Sequence, residues 1–149
     1  MSEIRFYHLQ SQTQEQALPL LVSKAFEKGL RVVVKLRNAG EVNEMDTNLW
    51  AYDANSFLPH GSAKTGNAAA QPVWITCEDE NPNDASVLII GQGAQSSIHS
   101  DFTLCCEIFS GHDEVAVQEA RKRWKEYKEQ GFDITYWQQN ERGGWDKKA

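Results

Sequence analysis

The run RVVVKL at residues 31–36 is apolar at consecutive positions rather than alternate ones. A strand of that kind must be covered on both faces, which is the signature of a parallel sheet sandwiched between helices. What precedes it fits. EIRFYHL at 3–9 reads as a first strand rich in aromatic and aliphatic residues. Thr13 then suits an N-cap, and Gln16 three positions later completes a capping box. A helix follows to about Lys28, with Leu18, Leu21, Val22, Ala25 and Phe26 at spacings of three and four, and Gly29 as its stop. Pro19 falls inside this stretch and is expected to push the true start later.

The rest continues in the same style. EVNEMDTNLWAYD predicts a helix through Trp50, with Val42, Met45, Leu49 and Trp50 as its apolar contacts. Residues 56–72, rich in Gly, Ala, Ser and Pro, read as a long loop. VWIT at 73–76, SVLIIG at 86–91 and TLCCEIF at 103–109 read as three further strands. The segment after His112 is the clearest helix, with Asp113 as N-cap and Gly131 as its end. The remainder opens with a short strand and is expected to be irregular over 138–149. The fold class expected is therefore α/β: a single domain over 1–149, with a mostly parallel sheet and helices on both faces.

Composition excludes several roles. No apolar run is long enough to span a membrane, and MSEIRFYHL does not resemble a secretory signal, so a cytoplasmic protein with no membrane partner is expected. Cys77, Cys105 and Cys106 form no C-x-x-C and read as reduced thiols, the adjacent pair pointing to opposite faces of a strand. No ligand spacing supports zinc on Cys77 with His60 or His99, and the acidic group Glu78, Asp79, Glu80 and Asp84 matches no calcium loop. GQGAQS at 91–96 lacks the third glycine of a dinucleotide turn, and GSAKTGN at 61–67 is not a phosphate loop. No metal, no cofactor and no catalytic residue is indicated.

One segment stands apart. The chain carries a net charge of −6, yet residues 120–128 hold five basic residues and one acidic, a local excess of +4. On a helical repeat Val117, Arg121, Trp124, Lys125 and Lys128 share a face or its margin, while Ala116, Ala120, Arg123 and Tyr127 form a stripe able to meet the sheet. Two targets suit the first face. Single-stranded nucleic acid would place phosphates on the cations and a base on Trp124. An acidic peptide would place carboxylates on Arg121 and Lys125 and an apolar side chain against the indole. The net negative charge favours the peptide.

RFYHL at 5–9, LW at 49–50 followed by SFLPHG at 56–61, QPVWIT at 71–76, AR-x-x-W-K at 120–125 and GFDITYWQQNERGGW at 131–145 together resemble the chi subunit of the bacterial DNA polymerase III holoenzyme. The resemblance runs essentially end to end. It implies a nucleotide-binding-like topology without a phosphate loop, and a non-catalytic subunit of the replicative polymerase complex that meets DNA only indirectly. It implies two partners. One is the psi subunit of the clamp loader complex. The other is the acidic, phenylalanine-ended C-terminal tail of single-stranded DNA-binding protein. Carried onto this chain, the tail site would comprise Trp50, Phe57, Arg121, Trp124 and Lys125, with Val117 and Lys128 as possible additions. Val117 stands where some members carry lysine, and Trp124 where some carry tyrosine.

Overall fold

A computed structural model describes residues 2–51, 59–63 and 66–149, the Trp50 side chain excepted. In chain order the elements are β1 (Glu3–Leu9), α1 (Gln14–Glu27), β2 (Val32–Lys35), α2 (Ala39–Ala51), β3 (Gly61–Ser62), β4 (Val73–Thr76), β5 (Val87–Ile90), β6 (Leu104–Ser110), α3 (Glu114–Glu129), β7 (Asp133–Gln139) and β8 (Trp145–Lys147). The strands form one sheet in the order β3-β4-β2-β5-β6-β1-β7-β8. Every pairing is parallel except the last, β7 with β8. The expected α/β class with a mostly parallel sheet is what the chain adopts.

Val32, Val33 and Val34 explain the layering. β2 lies between β4 and β5, so all three valines are buried, alternately toward one face and the other. One face carries Tyr7, Val34, Ile89 and Ile108 under α1 and α2. The opposite face carries Phe6, Val33, Leu88 and Phe109 under α3. Cys105 and Cys106 divide between the two faces as the period of two requires. Both thiols are free, and burial pushes that of Cys106 up to about 12.

The helix ends follow their local chemistry. Thr13 Oγ1 accepts from the Gln16 amide at 3.3 Å, and Gln16 Oε1 accepts from the Thr13 amide at 3.0 Å. This reciprocal cap fixes the start of α1 at Gln14, so Pro19 does not delay it; Pro19 lies within the helix and is buried. Gly29 ends α1 with φ +76°, a region that costs glycine nothing. Asp113 caps α3 by accepting from the Ala116 amide at 3.2 Å.

Two further expectations need correction. The stretch 56–72 is not wholly loop: it holds the short edge strand β3 and a single 3-10 turn at Ala68–Ala70. Nor is the chain irregular from 138 onward. β7 runs to Gln139 because β1 offers it a parallel partner over most of its length. After a turn at 140–144, β8 returns antiparallel, with Trp145 opposite Gln139.

Candidate functional site

β1 and β6 are neighbours that send their chains in opposite directions. After β1 the chain crosses through α1 on one face toward β2; after β6 it crosses through α3 on the other face toward β7. Such a switch point, at the carboxyl ends of the strands, is where nucleotides bind in doubly wound sheets. A cleft of about 460 Å3 lies there. Its polar groups are largely engaged with one another. The Gln92 amide donates to Gln14 Oε1 at 2.7 Å, and Gln92 Oε1 accepts from the Ser110 amide at 2.8 Å. The GQGA turn serves the chain's own side chains. A methyl group on Gly91 would meet the Leu36 side chain at 2.7 Å, and one on Gly93 would meet Arg37 Cδ at 2.6 Å. These glycines make room for Leu36 and Arg37 rather than for a pyrophosphate.

The other candidates from the sequence are similarly occupied. Asp79 accepts from Lys35 Nζ at 2.6 Å and from Ser97 Oγ at 3.0 Å. Burial opposes its ionisation, but Lys35 and the Ser96 and Ser97 donors hold its carboxyl far below the usual range. Glu80 accepts from the Trp74 indole at 2.7 Å. Among the described residues, no three metal-ligating side chains gather at one point, and no helix is long and apolar enough to cross a membrane.

The cationic helix gives a different result. Its inner stripe anchors it: Ala116, Ala120 and Tyr127 are buried against the sheet, and Arg123 donates to Glu107 of β6 at 2.6 Å. This fixes the rotation of α3. Arg121 and Lys125 are thereby turned to the flank, where with Trp124 they line a cleft of about 560 Å3. The strands contribute His8 from β1 and Tyr136 and Gln138 from β7. Neither Arg121 nor Lys125 has an ion-pair or hydrogen-bond partner among the described residues.

The floor of this cleft is aromatic. Trp124 lies 5.6 Å from Phe6 and 6.1 Å, edge-on, from Tyr136, between ring centroids. The Tyr136 hydroxyl and His8 Nδ1 are 2.5 Å apart. Burial, aided by the nearby charges of His112 and Arg121, keeps the His8 imidazole below its ordinary pKa. Burial also raises the Tyr136 phenol, with Arg121 opposing it. The cleft thus offers two exposed cations over a ring-lined floor, with Ala149, paired to the Tyr136 backbone, also on its lining. That arrangement can hold carboxylates at its mouth and a large apolar side chain inside.

Three of the expected site residues, Arg121, Trp124 and Lys125, are brought together. Trp50 is the penultimate residue of α2, which packs on α1, β3 and β4; its side chain lies outside the described residues. Phe57 lies outside the described residues. Val117 and Lys128 do not line the cleft: Val117 is half-buried against the core, and Lys128 is exposed beyond it. Reasoning from sequence missed His8, Tyr136 and Gln138. Their only signal is register: with β1 and β7 paired so that Phe6 faces Tyr136 and His8 faces Gln138, these side chains share the α3 face.

A family model described as "DNA polymerase III chi subunit, HolC" matches residues 1–135. The DNA polymerase III subunit chi of Escherichia coli is 26% identical over 144 residues, covering 91% of this chain and 97% of that protein. That of Pseudomonas aeruginosa is 25% identical over 138 residues, covering 90% and 94%. A probable DNA polymerase III subunit chi of Rickettsia prowazekii is 33% identical over 90 residues, so that 60% of this chain spans about half, 54%, of that relative. The chain belongs to the DNA polymerase III chi subunit family.

Proposed function

We propose that this protein is a non-catalytic accessory subunit of the replicative DNA polymerase, working in the cytoplasm as an adaptor between two proteins. Its α3 cleft takes the acidic C-terminal tail of single-stranded DNA-binding protein, and a separate surface joins it to the clamp loader through psi. The observation that carries the tail reading is the pair of cations, Arg121 and Lys125, without a partner among the described residues, over an aromatic floor built by Phe6, Trp124 and Tyr136. Charge steers the tail in, and burial of its terminal ring sets how long it stays.

A charge-assisted contact of this kind contributes about 1.5–3 kcal/mol. Titration calorimetry with a synthetic acidic peptide ending in phenylalanine tests the reading. Arg121→Ala should weaken binding roughly 10- to 100-fold, since 1.4 kcal/mol is a factor of ten. Unchanged affinity would remove the α3 cleft from the tail site. A pull-down from the source cells should recover psi, the clamp loader and single-stranded DNA-binding protein together.

A further inference from the structure

On the sheet face opposite the α3 cleft, a groove of about 260 Å3 runs between α1 and the β7–β8 hairpin. Among the described residues, α1 is the only helix over this part of the face. α1 packs toward β2 and β6, and the hairpin is left to cover itself with Trp137 and Trp145, both only half-buried. Leu21 of α1 and Leu104 of β6 complete apolar walls. Lys24 and Lys28, one turn apart on α1, stand exposed on the rim, and neither ammonium group has a partner among the described residues. The third cation of the rim, Arg5, is held by Glu3 at 2.6 Å. No carboxylate among the described residues lines the groove. Two full positive charges outweigh the half-charge of opposite sign at the nearby C-terminus of α1.

We propose that this groove is a second docking surface, for an internal segment of a partner protein that carries a large apolar side chain flanked by acidic residues. Charge complementarity sets the flanks, and the two indoles receive the side chain. A protein segment fits better than single-stranded nucleic acid. The Trp137 ring is already covered by the Arg5 guanidinium at 5.9 Å, and Trp145 packs edge-on against Tyr7 at 4.7 Å, so neither indole is free of neighbours for stacking a base. The chain's charge of −6 also opposes a polyanion.

The test uses the full 149-residue protein and follows the indole N–H resonances of Trp137 and Trp145, assigned by single Trp→Phe variants. The probe is the peptide acetyl-Asp-Glu-Leu-Phe-Asp-Glu-amide, blocked at both ends so that it lacks the terminal carboxylate expected in the α3 cleft. Both resonances should shift and saturate. The double variant Lys24→Glu/Lys28→Glu, exposed on α1 and checked by its melting curve, should weaken the probe at least tenfold, and Arg121→Ala should not. Absence of any shift, or equal binding by the double variant, would overturn the proposal. So would shifts produced by single-stranded oligothymidylate but not by the peptide, or shifts that depend on protein concentration alone, which would mark the groove as a self-association surface.

Discussion

Arg123 and Arg121 leave α3 two residues apart and meet opposite fates. Arg123 reaches inward to Glu107, whose side chain is only 2% exposed, at 2.6 Å; Arg121 turns to the flank and is without a partner among the described residues. One arginine anchors the helix and the other stands exposed.

The anchor should therefore matter to stability. A single substitution, Glu107→Ala or Arg123→Ala, strands a buried charge and should cost about 3–5 kcal/mol in urea unfolding. Glu107→Leu combined with Arg123→Met removes both charges and should recover most of that loss. If either single variant unfolds at the wild-type urea midpoint, the ion pair does not anchor the helix.

The flank should behave in the opposite way. Arg121→Ala and Lys125→Ala should leave stability within about 0.5 kcal/mol, as substitutions of exposed residues usually do. Both should weaken the acidic tail peptide, and more at low salt than at high, because the contacts are exposed to screening ions. Trp124→Ala should do both kinds of damage, since its ring is half-buried against Phe6. Calorimetry at two salt concentrations, paired with denaturation curves, separates the three.

Acidification should weaken the fold through its buried imidazoles. Burial lowers the pKa of His99, with Asp79 opposing and Arg123 adding to the effect, and burial likewise lowers that of His8. Below the ordinary value of 6.5 the unfolded chain then binds protons that the folded chain refuses. Their contribution is complete above that pH and is lost as pH falls toward the folded-state values. Glu107, raised by burial against the pull of Arg123, acts with the opposite sign from its ordinary 4.5 upward. Comparison with variants isolates the histidines: His99→Gln and His8→Gln should flatten the decline in melting temperature between about pH 7.5 and 5.5.

Gln139 ties the hairpin to the switch point. It is buried, and its Oε1 accepts from the amides of Gln10, Ser11 and Gln12 at 3.3, 3.1 and 3.0 Å. Gln139→Leu removes the acceptor for all three and should cost about 1–3 kcal/mol by urea unfolding. Gln139→Glu keeps the acceptor but buries a carboxylate and turns the donation to Gln12 Oε1 into an oxygen–oxygen contact, so it should lose stability as well.

Much of the fold was legible because local signals and burial agreed. The three valines of β2, the Thr13–Gln16 capping box and the left-handed Gly29 each state their role within a few residues. The cationic face of α3 was legible for the same reason: helical spacing alone puts Arg121, Trp124 and Lys125 on one side. Partners distant in the chain were not. Nothing near Asp133–Gln139 announces that β1 will extend it, and nothing near His8 announces Tyr136 as its neighbour 128 residues away.

β7 presents Tyr136 to the α3 cleft and Trp137 to the groove beside α1. Its alignment with β1 therefore sets the make-up of both surfaces together. Sliding the strand by a single position would carry the phenol and the indole through the sheet to each other's surface. A shift of that register would change both surfaces at once, whereas replacing Tyr136 or Trp137 alone would alter one.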